Sequence, residues 1–385
     1  MKQKLLLIPC FLIFLIAFLT LPIFAEPDAS ITSSQQLPNE YLEFLDRLPS
    51  DVKETLPDGL FSNDPATVAA AIEEMSHFSY LMRTVLSLVG IRLHDCFSLL
   101  AQLAGLVLLS AVLRTVKVAF VKETVARACS FCINLVMLIS LLGVGYETLL
   151  TVTEYLDTLN KLTAALLPLT GVLYAMGGNV TTAVASSTGL SVFMTVLEQI
   201  VGNTVVPFCG LCLAFTVVGS FEPTLRIGSL LTTVKKNYTL ILTFLMMLLL
   251  AMLSMQTTLA ARADTLAMKS ARFAAGNLIP VVGGSVSELL RTVSAGVSYL
   301  RGTVGICAVL LLLLLLLPTL IQLLLFRLTW QLGASLADML FCDSEKRVMD
   351  EFASLCGYLV AAVSICSSVV LLALTLFIHF ASAIG

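Results

Sequence analysis

Charged side chains are scarce in this sequence. Only 12% of its 385 residues are Asp, Glu, Lys or Arg, whereas a soluble domain carries about 25%. Hydrophobic residues make up 58% of the chain, and several apolar runs reach the ~20 residues with which a helix crosses a bilayer. Because these runs are continuous and Leu-rich, without the alternation of a membrane β-strand, the composition predicts an all-α, polytopic helical membrane protein.

Histidine is also rare, with three in the chain beside ten Cys. No His lies near the two closely spaced cysteine pairs, Cys129 with Cys132 and Cys209 with Cys212, and a structural metal site needs four ligands. There is no phosphate loop, nucleophile elbow or HExxH motif. The net charge of −3 gives no basic face for nucleic acid. We therefore predict no enzyme activity, no catalytic residues, and neither a metal nor another cofactor.

The N-terminus has the pattern of a signal peptide at residues 1–25. Lys2 and Lys4 precede an apolar core, and Ala25 is a plausible last leader residue. Ile23 stands where a small residue is usual at a cleavage site. An uncleaved anchor helix is therefore the alternative.

Residues 26–85 form the only substantial polar region. Acidic side chains outnumber basic ones in its first part, and three prolines divide it into short pieces. We expect an acidic extracytoplasmic helical arm with little core of its own. Asp64-Pro65 predicts the start of a longer helix, with Asp as N-cap and Pro as first helical residue. The apolar side of that helix is predicted to carry Val68, Ile72, Met75 and Leu86.

Residues 86–385 are predicted to form a multi-span membrane domain with about 7–8 spans. The apolar segments are 96–113, 130–150, 162–178, 183–201, 204–221, 238–257, 303–326 and 355–381. Basic residues place the loop after the first segment and the loop at 222–236 in the cytoplasm, and an acidic loop between 150 and 162 suits the outside. Trp330, beside Arg327, predicts an anchor at the membrane interface.

The segment 258–302 differs from every predicted span. A Pro and two Gly interrupt it, and apolar residues recur at helical spacing on both sides. It predicts an amphipathic hairpin, either interfacial or embedded with its polar sides facing a partner or a water-filled path. Span alternation puts it outside, whereas its basic residues favour the cytoplasm, so its orientation stays open. Its candidate functional residues are Arg262, Asp264, Lys269, Arg272, Phe273, Pro280, Gly283, Gly284, Glu288 and Arg291.

Two further patterns mark candidate positions inside predicted spans. Glu198 is an ionisable residue in an apolar segment, which is costly in hydrocarbon and suggests function, unless it lies near a membrane face. Three stretches share Pro-x-x-Gly, a pattern that predicts the broken helices of transporters or, alternatively, kinks and tight packing. Outside 258–302, the candidate helix breaks are Pro168, Gly171, Gly177, Gly178, Pro207 and Gly210.

The stretch TLAMKSARFAAGNLIPVVGGSVSELLRTV (265–293) resembles the characteristic segment of the stage III sporulation protein AE family of endospore-forming Firmicutes. RIGSLLTTVKK (226–236) and LRGTVG (300–305) add to the resemblance, which is specific at 222–305. It implies an integral membrane subunit of the channel or secretion complex between mother cell and forespore, needed for endospore formation and late forespore gene expression. The implied location is the mother-cell-derived membrane around the forespore.

The resemblance also implies partners. These are the other stage III sporulation A-operon proteins, including an ATPase and ring-forming subunits, the stage II sporulation protein Q across the intermembrane space, and an Oxa1-type membrane insertase. Two alternatives stay open. One is a stand-alone small-molecule transporter with broken helices at 168–178 and 279–284. The other is a pore-less membrane scaffold whose acidic arm recruits extracytoplasmic partners.

Overall fold

The computed structural model describes residues 39–46, 53, 56–120, 123–176, 204–221, 227–278 and 283–382, with separate residues between 181 and 196. Within these residues the regular secondary structure is helical and there is no strand, which confirms the all-α fold. Five of the described helices are long and apolar enough to cross a membrane. The predicted class of helical membrane protein is therefore confirmed.

The acidic region contains two short helices, α1 (Asn39–Asp46) and α2 (Pro65–Ser76), with a 3-10 helix at Asp58–Phe61 between them. Asp64 caps α2 as predicted: its carboxylate accepts hydrogen bonds from the Thr67 hydroxyl at 2.8 Å and the Ala66 N–H at 3.3 Å. These two bonds stabilise the charged form and hold the pKa of Asp64 below its ordinary value. The cap confirms that local sequence sets where α2 begins.

In the described part of the chain, six longer helices follow the acidic region. They are α3 (Phe78–Phe120), α4 (Glu123–Met176), α5 (Val206–Phe221), α6 (Ile227–Leu278), α7 (Gly283–Met339) and α8 (Asp343–Ser382). Helices α7 and α8 form an antiparallel hairpin, and α3, α4 and α6 pack around it. The leucine run of α7 lies at the centre, where Leu311, Leu312 and Leu316 are each at most 1% exposed.

The arm, by which we mean residues 39–76, packs against the membrane helices. Helix α1 contacts α4 and helix α2 contacts α7. The Tyr41 hydroxyl donates to the Leu60 carbonyl at 3.0 Å and lies 3.8 Å from the Cys307 Sγ of α7. Three of the predicted apolar residues of α2 are buried, whereas Leu86 is 70% exposed because α2 ends at Ser76 and Leu86 belongs to α3. The arm therefore shares the core of the membrane helices.

Helix α4 corrects the predicted topology. It is continuous over 54 residues, so the spans predicted at 130–150 and 162–178 are not joined by an outer loop. The charged residues between them lie on the exposed side of the helix, and Asp157 and Lys161 form an i,i+4 ion pair at 2.6 Å. On the other side Val152, Leu156 and Leu159 are buried. The sequence shows the charges but not that the apolar residues beside them pack inward.

The predicted amphipathic segment 258–302 is helical on both sides of its predicted interruption. Helix α6 ends at Leu278 and helix α7 begins at Gly283, and residues 279–282 lie outside the described part. The first half continues the span predicted at 238–257, and the second half leads into the span predicted at 303–326. The segment therefore consists of the ends of two long helices.

The side chain of Trp330 does not contact lipid or water. Its side chain is fully buried, and its ring stacks on that of Phe352 in α8 with centroids 4.7 Å apart. The indole N–H has no hydrogen-bond partner among the described residues. The predicted interfacial anchor is wrong because the hairpin with α8 encloses a side chain that sequence position alone places at the end of a span.

Candidate functional site at a buried ion pair

A buried ion pair joins two helices inside the membrane domain. Lys235 of α6 and Glu351 of α8 lie with Nζ and Oε2 3.2 Å apart, and their side chains are 8% and 20% exposed. Placing two charges in an apolar interior costs solvation energy that the pair offsets only if its geometry is good. Ionisable residues at such positions are candidates for function. This pair defines the candidate site.

Three aromatic rings from three helices lie next to the pair. Phe208 of α5 stacks on Tyr238 of α6 with centroids 4.3 Å apart. Tyr358 of α8 lies 5.3 Å from Phe208 and 5.9 Å from Tyr238. Tyr238 follows Lys235 by about one helical turn, and Tyr358 follows Glu351 by about two. The three rings therefore form one aromatic cluster that joins α5, α6 and α8 within about two helical turns of the ion pair.

The cysteine pair of α5 also belongs to this site. Cys209 and Cys212 are fully buried, and Cys212 lies within electrostatic reach of both Lys235 and Glu351. Neither thiol forms a disulfide in this structure. Among the described residues no group of three or more His, Cys, Asp and Glu could hold a metal ion. In this structure Cys209 and Cys212 fill space between helices.

Arg327 of α7 completes the charged groups around the site. A Cβ on Gly357 of α8 would lie 3.2 Å from the Arg327 Cζ, so the guanidinium occupies the room that this glycine leaves. Four helices thus contribute to one polar region between apolar surfaces. The arrangement fixes α6 against α8 and concentrates charge in the interior.

The comparisons with known proteins give the family of this chain. The family model for stage III sporulation protein AE matches residues 67–381. The chain belongs to the stage III sporulation protein AE family. It is 25% identical over 301 residues to the stage III sporulation protein AE of Bacillus subtilis (strain 168), covering 78% of this chain and 73% of that protein. No solved structure matches the chain.

The stage III sporulation protein AE match includes the whole candidate site. It begins in the first turn of α2 and ends in the last turn of α8, so it contains Lys235, Arg327 and Glu351. Helix α1 and the 3-10 helix lie before it.

The candidate residues of α6 differ in their surroundings. Asp264 is 4% exposed, and its Oδ1 accepts a hydrogen bond from the Thr181 N–H at 3.2 Å. Arg262 and Lys269 are exposed, as is Phe273 at 72%. The structure thus separates a buried carboxylate from an exposed basic and aromatic face. None of the four belongs to the Lys235–Glu351 site.

For some of the other candidate residues the structure describes only the backbone. The rest lie outside the described part. Gly283 and Gly284 are the first residues of α7. Arg272, Glu288 and Arg291 are helical, with side chains outside the described part. The residues that are not described at all are Gly177, Gly178, Glu198 and Pro280.

The predicted helix break at Pro168 is absent. Pro168 lies inside α4, which continues to Met176, because buried neighbours such as Leu166 and Leu169 hold the helix on both sides of the missing N–H. Pro207 is the second residue of α5, where proline costs little, so a helix begins at this position. Gly171 and Gly210 lie inside α4 and α5, and a Cβ added to either would meet nothing within 4 Å. Pro168, Gly171 and Gly210 are therefore not helix breaks.

The Lys235–Glu351 pair is the functional candidate that the sequence did not reveal. Lys235 reads as one of several cytoplasmic loop charges, and Glu351 lies 116 residues away. One signal in the sequence pointed to a buried Lys235. It lies four residues after the apolar Leu231, on the same helix face, and just before a long apolar run.

Proposed function

We propose that this chain is an integral membrane subunit of the channel or secretion complex between mother cell and forespore, needed for endospore formation and late forespore gene expression. The family supplies the setting of sporulation. The surroundings of α6 support the role of a subunit in a complex rather than that of a transporter that works alone.

The apolar stretch of α6 is too long for a bilayer alone to cover. It runs over 37 residues, Leu231–Ala267, which is about 55 Å of helix. The hydrocarbon core of a bilayer is about 30 Å thick. Only 7% of its most apolar 18-residue part is buried by its own chain. An apolar helix surface that is left uncovered by both lipid and its own chain marks a protein interaction site.

The partners that we propose are the other stage III sporulation A-operon proteins, including the ATPase and ring-forming subunits, with the stage II sporulation protein Q on the far side of the intermembrane space. The proposed location is the mother-cell-derived membrane around the forespore. The chain itself is proposed to act without catalysis, as a membrane element of the assembly.

Deletion and complementation in sporulating cells test this function. We expect cells that lack the chain to reach engulfment but to give few heat-resistant spores and little signal from a late forespore promoter. Wild-type chain should restore both. A membrane-localised variant of the site, Glu351→Ala, should restore them only in part. Matched complementation with Asp338→Ala, which removes an exposed ion pair with Lys346, serves as the control.

Purification separates a complex subunit from a stand-alone transporter. The chain taken from sporulating cells in mild detergent should carry other A-operon proteins with it. A chain that purifies alone and moves small molecules when reconstituted alone would overturn the proposal and favour a transporter. Normal late forespore expression without the chain would overturn it as well.

A further inference from the structure

The C-terminal part of α6, which we call its upper part, carries an exposed stripe with a regular spacing. Leu259, Leu266 and Phe273 recur every seven residues, and they are 57%, 67% and 72% exposed. Arg262 and Lys269 follow the first two by three residues and are exposed as well. Positions with this spacing form one seam along a helix, as in coiled coils. We call these five residues the α6 stripe.

The stripe makes the exposed apolar surface of α6 longer than a hydrocarbon core. The exposed residues from Leu240 to Leu259 already extend over about 28 Å of helix, which matches the ~30 Å of a hydrocarbon core. Leu266 and Phe273 lie about 10 and 20 Å further along. The exposed apolar surface from Leu240 to Phe273 is therefore longer than lipid tails alone can cover.

The charges of the stripe select its partner. Two copies of α6 packed in parallel and in register would place Arg262 against Arg262 and Lys269 against Lys269, and like charges at facing positions destabilise such a pair. A partner with acidic residues beside an apolar side chain is favoured instead. The arm of this same chain has that combination.

The arm contacts the half of α7 that begins next to the end of α6. Tyr41 contacts Cys307 in the first half of α7, and α7 begins only four residues after α6 ends. Asp58 and Phe61 are both exposed, at positions i and i+3 of the 3-10 helix. Side chains with that spacing share one face of a 3-10 helix. The arm thus presents an acid beside an aromatic ring.

We propose that the Asp58–Phe61 face of the arm of one copy docks on the α6 stripe of a second copy, with Asp58 beside Lys269 and Phe61 beside Leu266. The contact joins different surfaces of identical chains, so it repeats head to tail and builds a ring or an open chain of copies. This inference rests on the proposed function in one respect, since it takes protein to be what covers the upper part of α6.

Photo-crosslinking between two tagged forms of the full-length chain tests the contact. One form carries p-benzoylphenylalanine at position 266, the other carries a second tag, and both are expressed in sporulating cells. We expect a product of two chains that contains both tags. Lys269→Glu in the first form should lower its yield about fivefold or more through repulsion by Asp58. Asp58→Lys in the second form should restore it.

The control is Lys236→Glu, which changes an exposed lysine at the opposite end of the same helix and should leave the yield unchanged. Absence of the two-tag product, crosslinks only to lipid or to another protein, or a loss that Asp58→Lys does not restore would each overturn the docking. Co-purification of the A-operon proteins from the same cells shows separately whether the proposed function stands.

Discussion

The apolar stretch of α6, Leu231–Ala267, and that of α7, Thr303–Met339, are each 37 residues long, yet 7% of the most apolar 18 residues is buried in the first and 72% in the second. The leucine-rich part of α7 is mostly buried by its own chain, although Leu328 and Leu332 further along are exposed. Helix α6 contacts α5, α7 and α8, yet most of its apolar side chains are exposed. Apolar length therefore does not tell whether protein or lipid surrounds a helix. It shows only that water does not surround the helix.

The largest effect should come from a cavity in the enclosed helix. Leu312→Ala in α7, at a fully buried position, should lower the free energy of unfolding by about 2–5 kcal/mol, because neighbouring helices cannot collapse onto the gap. Leu248→Ala in α6, where the side chain is 51% exposed, should change it by less than about 0.5 kcal/mol. Titration with a denaturing detergent in mixed micelles measures both. Equal losses would show that α6 is as enclosed as α7.

The buried ion pair offers the next test, because it ties the open helix to the enclosed hairpin. Glu351→Ala leaves Lys235 without its partner and should cost about 3 kcal/mol of unfolding free energy. The double variant Lys235→Met, Glu351→Leu should recover most of that loss, since two apolar side chains need no solvation. Asp338→Ala, at an exposed pair 2.6 Å from Lys346, should cost less than about 1 kcal/mol. If the double variant is no more stable than Glu351→Ala, the cost of desolvating the two charges does not determine stability at this site.

Two glycines of α4 compare close packing with open space within a single helix. A Cβ on Gly145 would overlap the ring of Phe352, whereas a Cβ on Gly143 would meet nothing within 4 Å. Gly145→Val should therefore lower the unfolding free energy by about 1–3 kcal/mol through overpacking. Gly143→Val should have little effect in the same titration. If the two variants have the same unfolding free energy, α4 does not approach α8 at this point.

The smallest expected effect is a gain at the turn between the enclosed helices. Phe341 has φ 56° and is 82% exposed, while the Cys342 N–H donates to the Ala337 carbonyl at 2.8 Å. This is a helix end that normally carries Gly. Phe341→Gly should raise the unfolding free energy by about 1 kcal/mol, because a left-handed backbone strains a residue with a Cβ. Unchanged or lower stability, measured as the thermal midpoint in detergent, would show that the Phe341 ring contributes packing that outweighs the strain.

Local features of the fold were predictable from sequence because their causes are local. Asp64 and Pro65 start α2 since the cap acts over three residues, and Val68, Ile72 and Met75 share a buried face through helical spacing. The helical membrane class follows from long apolar runs. The resemblance at 265–293 led to the family that the match over residues 67–381 shows.

Non-local features were not predictable in the same way. The acidic side of α4 looked like a loop because the helices that bury Val152 and Leu159 are distant in sequence. Trp330 looked like an interfacial anchor for the same reason, since Phe352 reaches it only through the α7–α8 hairpin. Lys235 and Glu351 carry no mutual signal across 116 residues.

By itself, the sequence determined that the chain is helical, belongs in a membrane and begins α2 at Asp64-Pro65, because helix propensity, capping and transfer from water act on each segment separately. The tertiary structure decided which apolar helix is a core and which is a surface. It also decided that Lys235 faces Glu351 and that the arm joins the membrane helices. These outcomes depend on packing between segments far apart in the chain, where composition and spacing carry no information about the neighbour.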